Sequence, residues 1–550
     1  MASVAEQVAE CLASGESFIV DAGAGSGKTR TLVEALTHLL ATEAHELRRL
    51  NRQIACITYT NVAANEIMAR INYDPLVRVS TIHEFLWSVI NPFQNELRST
   101  IMAANDMAGS KKIDGLDLSE KVIEYWQYGR KWSEGKVAHD DIIQLSADLF
   151  KVYPKLSKLL TSRFPYIFVD EYQDTHPRTI DLLLDDLLTN SPGRLTIGLF
   201  GDYMQKIYNT GVGKIERPEL RVIQKTENFR CSKAVIEVLN RLRPALQQTP
   251  GPKNTAGSAR LFYADGSDTV DVIQAVRKQL RSEGWMEQTE KVLMLTRKSI
   301  SDDLGWRDLL AVYEARSPFG IDSLIARDDE FGELFARIEL LAEAFASGRF
   351  GDYLALKNER LVLQPRNQNG VRKHADKSEA AKEALKLIEL RESGSIGDVL
   401  DFLWSSRVLR KPRRVQRFEE RLGSDDESER VAKDRIFYAA LRELPYSRIV
   451  AVMRYLNLET PFSTHHGVKG AEFENVLVVL DDRLWNQYRF DSVLSGDTKK
   501  TQYSRSLNLL YVACSRAKNN LAVVVASSLT PEGIDGSRRI FGDRDTLAIK

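Results

Sequence analysis

Short apolar runs alternate with longer amphipathic stretches along most of the chain. The first run, residues 17–20, leads through a loop of small residues into the amphipathic stretch RTLVEALTHLL. Runs rich in β-branched residues predict buried strands, because such side chains pack well on a pleated sheet. Further strands are predicted within residues 53–60, 77–83, 164–175, 195–208, 220–230, 291–297, 461–482 and 505–526.

Amphipathic helical patterns separate these runs. Asn61 and Asp140 are the predicted N-caps of two of these helices, since short polar side chains can accept a hydrogen bond from the first helical turn. The helices are predicted over residues 4–13, 61–71 and 138–150, and through most of the highly charged segment 300–455.

The loop of small residues after the first strand predicts a phosphate-binding site. Backbone N–H groups can close around phosphate oxygens there, while Lys28 can reach the β- and γ-phosphates and the Thr29 hydroxyl can hold Mg²⁺. The helix that follows points its positive end at the anion. Ala22 stands where glycine is usual, and a Gly-rich turn with an incidental Lys–Thr pair is the alternative interpretation. The loop consists of Ala22, Gly23, Ala24, Gly25, Ser26 and Gly27.

Polar side chains follow several of the predicted strands. Asp170 and Glu171 end one strand, where one carboxylate can hold Mg²⁺ through water and the other can deprotonate an attacking water. Gln205 follows the next strand and is a candidate sensor of the γ-phosphate. Phe229 and Arg230 follow a third strand, where a ring and a cation suit adenine stacking and phosphate charge.

Three further residues are candidates for ligand contact. Gln7 lies upstream of the loop, and its carboxamide can both donate to and accept from an adenine edge. Tyr59 lies at the C-terminal end of a strand, where ligands bind in open α/β sheets. His83 is predicted to end the third strand, and a hydrogen-bonded structural role is the alternative for it.

Two segments have a composition that suits nucleic acid. Aromatic and basic residues interleave in residues 123–136, IEYWQYGRKWSEGK, as in surfaces that stack bases and contact phosphates. A helix that buries these rings in a local core is the alternative that we favour. The basic run 411–417 is a second candidate for DNA contact, and the acidic run 424–430 is interpreted as solvated.

Composition predicts an ordinary globular chain. The 550 residues are 43% hydrophobic and 28% charged, with a net charge of zero, so any DNA binding must depend on local patches. The four cysteines are far apart without CxxC spacing, which argues against a metal cluster and suits a reducing cytosol. Neither a signal peptide nor a membrane-spanning run is expected, and a cytoplasmic location is predicted.

Taken together, the motifs resemble those of the UvrD/Rep-like branch of superfamily 1 DNA helicases, in the same order. The resemblance covers well over half of the chain, and VDEYQDT and YVACSRAK are its most specific parts. Gln7 lies at the family's usual distance upstream for the Q motif. The stretches that resemble motifs I, Ia, Ib, II, III, IV, V and VI are AGAGSGKT, TYTNVAANEIMAR, STIHEF, VDEYQDT, GDYMQKIY, ENFRCS, THHGVKGAEFENV and LLYVACSRAK.

The resemblance implies an α/β fold of two RecA-like P-loop motor domains, each a parallel sheet flanked by helices, with inserted and mainly helical subdomains 1B and 2B. The implied boundaries are 1–88 and 161–228 for motor 1A, 89–160 for 1B, 229–300 and 456–550 for motor 2A, and 301–455 for 2B.

The resemblance also implies roles for individual residues. Lys28 and Thr29 would bind ATP phosphates and Mg²⁺, Asp170 would bind Mg²⁺ through water, and Glu171 would activate the attacking water. The implied γ-phosphate sensors are Gln205, Arg230 and Arg516, with Arg516 as the finger from the second motor. The implied adenine platform is Phe229, the ribose or coupling contact is Glu472, and the single-stranded DNA contacts are Tyr59, Asn61, His83 and His466.

The chain departs from the family pattern after motif III. Thr210 stands where the family often has an aromatic residue that stacks on a base, so the grip on DNA or strand separation is expected to be weaker. The 1B insertion is short, and no nuclease domain is expected after motif VI. In these two respects the chain resembles the helicase subunit of Gabija-type anti-phage systems, which works with a separate nuclease.

Two functions are therefore expected. The first is an ATP-driven 3′→5′ single-stranded DNA translocase and helicase, acting in DNA repair or anti-phage defence on single-stranded or partly duplex DNA. The alternative is a DNA- or nucleotide-sensing ATPase subunit that gates a partner nuclease and unwinds little. A P-loop transporter or metabolic kinase is nearly excluded, because neither needs Arg516 and Gln205 in this arrangement.

Overall fold

The structure is a computed structural model of the 550-residue chain, and it divides into two compact units. The first unit comprises Met1–Ser267 and Val468–Lys550, and the second comprises Asp268–Gly467. The structure describes residues 2–109, 112–126, 129–207, 210–264, 269–286, 288–318, 320–358, 374–406, 408–424, 426, 428–457, 459–465, 470–483 and 486–549.

The described strands are short, and those of each sheet run parallel. They are β1 Phe18–Ala22, β2 Ile54–Thr58, β3 Val77–Thr81, β4 Glu124–Tyr125, β5 Lys136–Val137, β6 Tyr166–Asp170, β7 Thr196–Gly201, β8 Arg221–Lys225, β9 Glu227–Asn228, β10 Thr249–Pro250, β11 Ser258–Tyr263, β12 Glu290–Met294, β13 Phe462–Thr464, β14 Phe473–Leu480, β15 Ala517–Val525 and β16 Thr546–Ala548.

Helices flank the strands of the first unit and make up most of the second. Those of the first unit are α1 Val4–Ser14, α2 Lys28–Thr42, α3 Ala44–Arg49, α4 Asn61–Arg70, α5 Ile82–Ile90, α6 Gln94–Asp106, α7 His139–Val152, α8 Pro154–Arg163, α9 Pro177–Asp181, α10 Lys233–Leu242, α22 Phe490–Ser495, α23 Tyr503–Cys514 and α24 Pro531–Phe541. Those of the second are α11 Thr269–Ser282, α12 Arg297–Leu304, α13 Arg307–Arg316, α14 Gly320–Ala326, α15 Gly332–Ala346, α16 Phe350–Asn358, α17 His374–Ser393, α18 Ile396–Ser405, α19 Arg413–Leu422, α20 Glu429–Glu443 and α21 Ser447–Leu456.

The first sheet has six parallel strands in the order β3-β2-β6-β7-β1-β8. Successive residues of β1 enter different cores: Phe18 and Val20 pack with α1 and α2, whereas Ile19 packs on the side of α5 to α8. A strand buried on both faces needs an unbroken apolar run, which is the pattern that these segments have. Because the strands are parallel, their carboxyl ends share one edge of the sheet.

A second parallel arrangement in the first unit has the order β14-β15-β11-β16, with α10, α23 and α24 packed near it. In the second unit β12 pairs with β13, also in parallel, and the other elements described in that unit are helices. The predicted fold class, with parallel sheets flanked by helices and a large helical insertion, is confirmed. The subdomain boundaries stay predictions.

The helical unit buries both rings and charges. Phe331, Phe418 and Phe437 pack together, while Arg316 donates to Glu330 at 2.9 Å and to Asp434 at 2.8 Å. In the basic run 411–417, Val415 is buried and the arginines Arg413, Arg414 and Arg417 are exposed. DNA contact by this run stays a prediction.

Two predicted helix caps and one strand end are wrong. The N-cap of α4 is Thr60, whose hydroxyl accepts from Ala63 N at 3.2 Å, so Asn61 is the first helical residue instead. Asp140 lies inside the first turn of α7, which begins at His139. Strand β3 ends at Thr81 rather than His83, because Thr81 caps α5 and exchanges hydrogen bonds with Glu84.

In its described residues, 123–126 and 129–136, the segment 123–136 does not form the helix of the alternative interpretation. It forms the short strands β4 and β5 and a 3₁₀ turn at Trp132–Glu134. Trp132 is 7% exposed and packs in the core, as the local-core alternative requires, and Arg130 lies over its ring. Tyr125 is 36% exposed, and Tyr128 lies outside the described residues.

Candidate active site

The predicted phosphate loop lies between β1 and α2, and the backbone requires glycine at two of its positions. Gly25 and Gly27 have φ of 71° and 78°, a left-handed conformation that residues with a Cβ rarely adopt. A Cβ on Gly25 would lie 2.7 Å from both Arg230 Cβ and Asn228 Oδ1. Ala22 is instead the last residue of β1 and has no positive φ, so alanine is tolerated at that position.

The start of α2 suits a phosphate. Its N-cap, Gly27, forms no side-chain cap, and its first turn has no acidic residue, so the positive end of the helix is not neutralised locally. Ser26 Oγ is buried and bonds to none of the described residues. An anion with several oxygens could accept a hydrogen bond from the Ser26 hydroxyl and would also be attracted to the positive end of α2. The loop therefore fits a nucleotide phosphate.

Lys28 and Glu171 form an ion pair beside the loop. Lys28 Nζ donates to Glu171 Oε2 at 3.0 Å, and Gln173 Nε2 donates to the same oxygen at 2.6 Å. Burial alone would lower the pKa of Lys28, but the Glu171 and Asp202 carboxylates raise it, so the ammonium stays charged. Glu171 has φ of 50°, a strained conformation of the kind often found at active sites.

Asp170 and Thr29 are oxygen donors suited to Mg²⁺. Asp170 ends β6 and is 5% exposed, and burial together with the neighbouring Glu171 raises its pKa to about 7. Thr29 is half-buried in the first turn of α2. Carboxylate and hydroxyl oxygens with phosphate are the ligand types that Mg²⁺ prefers, so this donor set fits the ion.

The predicted sensors Gln205 and Arg516 are in contact. Arg516 Nη2 donates to Gln205 Oε1 at 3.2 Å, and Gln205 Nε2 donates to Asp202 Oδ2 at 2.8 Å. Arg516 is 1% exposed, and burial together with the nearby Arg230 lowers its pKa to about 10. It therefore remains a cation at neutral pH.

Phe229 and Arg230 lie directly against the phosphate loop. Phe229 N donates to Gly25 O at 3.0 Å, and the Phe229 ring is 54% exposed, as a stacking platform requires. Arg230 Nε forms an ion pair with Glu472 Oε2 at 2.5 Å. Gln7 lies in α1 and donates to Ala2 O at 3.0 Å, and its role as a base reader stays a prediction.

Sequence reasoning missed the side chains that hold the backbone of the loop. Ala24 N donates to the hydroxyl of Tyr511 at 3.2 Å, and Ala24 O accepts from Asn228 Nδ2 and Gln248 Nε2, each at 2.9 Å. Asn228 and Tyr511 lie within ENFR and YVACSR, which are parts of the stretches that resemble motifs IV and VI, so the sequence does mark these two positions. Gln248 has no motif of its own, and only the tertiary structure identifies it.

Three of the predicted DNA contacts lie just after the carboxyl ends of β2 and β3 in the first sheet. Tyr59 follows β2 and is 52% exposed, and burial of its hydroxyl end with the nearby Asp174 carboxylate raises its pKa. The half-buried His83 stacks on His139 with ring centroids 3.4 Å apart, and burial and His139 lower its pKa to about 4. Asn61 is exposed, and His466 lies outside the described residues.

The structure thus brings together a phosphate loop, the Lys28–Glu171 pair and a buried arginine that contacts Gln205, which is the arrangement that the resemblance to helicase-type P-loop ATPases implies. The family described as "AAA domain" matches residues 5–211. The chain is 24% identical to Gabija protein GajB of Bacillus cereus strain HuB5-5, over 94% of each protein. It is also 25% identical to the ATP-dependent DNA helicase PcrA of Staphylococcus epidermidis, over 48% of this chain and 43% of that protein.

PcrA of Staphylococcus aureus gives a similar result, with 24% identity over 40% of this chain and 37% of that helicase. These comparisons confirm the resemblance to UvrD/Rep-like superfamily 1 helicases and to the Gabija type. They support an ATP-binding enzyme of the helicase class. Among the helices of the described ranges, none has the length and hydrophobicity needed to cross a bilayer.

Glu171→Gln is expected to bind ATP but to hydrolyse it about 10² to 10⁴ times more slowly, because a carboxamide cannot accept a proton from water. Nucleotide binding and single-turnover hydrolysis measure the two effects separately. Glu34→Gln, an exposed partner of Arg30, is the matched control and should be fully active. Loss of nucleotide binding in Glu171→Gln would instead assign Glu171 to binding or structure.

Proposed function

We propose that this chain is an Mg²⁺-dependent ATPase that moves 3′→5′ along single-stranded DNA and separates duplexes. The observation that carries this proposal is the contact between Arg516 and Gln205 beside the Lys28–Glu171 pair. An arginine supplied by a segment distant in sequence can stabilise the transition state of hydrolysis and make it depend on domain position.

Each residue has a distinct part in the proposed reaction. Lys28 neutralises the β- and γ-phosphates, and Glu171 accepts the proton of the attacking water. Arg516, with Gln205 and Arg230, stabilises the charge that develops on the γ-phosphate. Thr29 and Asp170 would hold Mg²⁺, which when bound supplies charge neutralisation at the phosphates.

The proposed architecture has four parts. Residues 1–88 and 161–228 form motor 1A, and residues 229–300 and 456–550 form motor 2A. The insertions are 89–160 for 1B and 301–455 for 2B. ATP binding would close the two motors on each other, and hydrolysis would reopen them, so that the chain takes one step along DNA.

The biological setting that we propose is anti-phage defence or DNA repair in the cytoplasm, with a separate nuclease subunit as the partner. The similarity to Gabija protein GajB over 94% of each chain supports the defence role. Thr210 favours a second candidate function, a sensing ATPase with little unwinding, because a threonine stands where a stacking ring is expected.

Strand displacement on duplexes with either a 3′ or a 5′ single-stranded tail tests the proposal. Displacement of 3′-tailed duplexes alone, with ATP and Mg²⁺, is the expected result. Preference for the 5′ tail would contradict the direction. ATPase activity that DNA stimulates, without displacement of either duplex, would favour the sensing function, and a chain without DNA-stimulated ATPase would contradict both.

Thr210→Trp is expected to tighten single-stranded DNA binding. Thr210 is exposed, and the loop after it packs on motif II, where Val212 N donates to Thr175 O at 2.8 Å and Gly213 N donates to Gln173 O at 3.1 Å. An indole there should gain about 1 kcal/mol of stacking, or about fivefold in Kd.

Titration of single-stranded DNA at two salt concentrations measures this gain, which should be nearly independent of salt because it adds no phosphate contact. Thr42→Trp, an exposed position at the far end of α2, is the control and should leave Kd unchanged. If Thr210→Trp has no effect while Tyr59→Ala weakens binding, the loop is not part of the DNA path.

A further inference from the structure

A buried arginine outside every motif, Arg243, joins two carboxylates at the edge of the first sheet. It follows the last residue of α10, and its side chain is 2% exposed. Its Nη2 donates to both carboxylate oxygens of Asp21, at 2.8 and 3.1 Å, and its Nη1 donates to Asp202 Oδ1 at 3.0 Å. A buried guanidinium is tolerated only with such partners.

The two carboxylates belong to two different parts of the active site. Asp21 lies in β1, next to the residue that opens the phosphate loop, and Asp202 follows the last residue of β7. The two strands are paired in parallel, with Asp21 opposite Gly201. Arg243 therefore connects the base of the phosphate loop to the segment that carries Gln205.

Asp202 is the branch point of a polar network. Its Oδ2 accepts from Gln205, which in turn accepts from Arg516. Its N–H donates to Gln173 Oε1 at 3.1 Å, and Gln173 Nε2 donates to Glu171 at 2.6 Å. Movement of Asp202 would thus displace both the arginine finger and the general base.

Rings enclose the guanidinium and fix its position further. Its carbon lies 4.6 Å from the centroid of the Tyr203 ring and 6.0 Å from that of Tyr511. Burial by itself would lower the pKa of Arg243, but the carboxylates of Asp202 and Asp21 raise it above its ordinary range. The planar guanidinium is therefore always charged, and it is held in one orientation in which it donates to both carboxylates.

We propose that Arg243 is a positioning residue for ATP hydrolysis, which holds Asp21 and Asp202 together so that Gln205 and Arg516 stay aligned with the phosphate loop. This inference rests on the proposed ATPase function. None of the hydrogen bonds described for Arg243 goes to the phosphate loop or to Lys28. Its loss should therefore slow the hydrolytic step and leave nucleotide affinity nearly unchanged.

Arg243→Lys tests the proposal, because an ammonium keeps the charge but cannot bridge both carboxylates in a bidentate manner. We expect kcat of DNA-stimulated ATPase to fall by about 10- to 100-fold, since misalignment of catalytic groups has effects of this size. KM and the Kd of a fluorescent ATP analogue should change by less than about twofold, as should KM for DNA. Arg241→Lys, the same change at an exposed position of α10, is the control and should be fully active.

Combining Arg243→Lys with Gln205→Ala distinguishes a positioning role of Arg243 from a general structural role. In Gln205→Ala the connection to Arg516 is already broken and only the branch through Gln173 to Glu171 remains, so adding Arg243→Lys should lower kcat by a smaller factor than it does in the wild type. Asp21→Asn weakens only the contact of Arg243 with Asp21 and should lower kcat by roughly threefold or more. This variant tests the proposal if Arg243→Lys does not fold.

A folded Arg243→Lys with normal kcat, a loss confined to nucleotide affinity, or an equal loss in the Gln205→Ala background would each overturn the positioning role. The same applies to a folded Asp21→Asn with normal kcat when Arg243→Lys does not fold. A wild-type protein without ATPase activity would overturn both the proposed function and this inference. If the wild type is active, a negative result with the variants overturns only the role of Arg243.

Discussion

Lys28→Ala is expected to abolish ATP turnover while the protein stays folded. Lys28 is the first residue of α2, and its removal takes one cation from the phosphate site and weakens both ground-state binding and transition-state stabilisation. The fold should tolerate the change, because Glu171 is 32% exposed and keeps its hydrogen bond from Gln173. Phosphate release at saturating ATP and DNA measures turnover, and circular dichroism measures folding.

Lys155→Ala, at an exposed position of α8, is the control for the loss of one positive charge and should hydrolyse ATP normally. Lys28→Met retains most of the aliphatic stem and should be as inactive as Lys28→Ala, which separates the charge from its packing. Hydrolysis at the wild-type rate in a folded Lys28→Ala would refute the assignment of this loop to nucleotide phosphate.

Arg516→Ala is expected to lower kcat by about 10³-fold or more, with a much smaller effect on nucleotide affinity. The guanidinium is buried and donates to Gln205 Oε1 at 3.2 Å and to Ala471 O at 3.3 Å, so it is held in one orientation. An arginine finger acts mainly on charge that develops in the transition state, which ground-state binding does not measure. Single-turnover hydrolysis and equilibrium binding of ATP distinguish the two.

Removal of a buried arginine also leaves a cavity, and two variants control for it. Arg505→Ala removes a half-buried arginine from α23, the helix that ends two residues before Arg516, and should be active. Arg516→Lys keeps the charge but loses the planar fork, so it should fold better than Arg516→Ala and remain strongly impaired. Normal turnover in either Arg516 variant would remove this residue from the mechanism and leave the two-motor proposal without its coupling group.

The local parts of the site could be predicted because each depends on residues that are adjacent in sequence. The phosphate loop needs small residues between a strand and a helix, and Gly25 and Gly27 do have the left-handed backbone that this requires. Asp170 and Glu171 follow an apolar run, and the strand does end at Asp170. In such cases chain connectivity itself brings the functional groups together.

Helix caps were predicted less well, because neighbouring residues compete for the same role. Thr60 and Asn61 can both cap a helix, and the extended backbone of Thr60 with its hydroxyl near Ala63 N decides between them. Thr81 similarly ends β3 before His83 by starting α5 with a pair of hydrogen bonds to Glu84. Composition alone does not separate these alternatives.

The phosphate loop, the paired acids and the order of motifs that predicts a helicase-type ATPase can all be recognised in the sequence. Which distant residues support this predicted site is visible only in the folded chain. Arg243 pairs with Asp21 across 222 positions, and Gln248 bonds to Ala24 across 224. A charge or amide becomes important at such a site only through burial against its partner, and burial is a property of the folded packing rather than of local sequence.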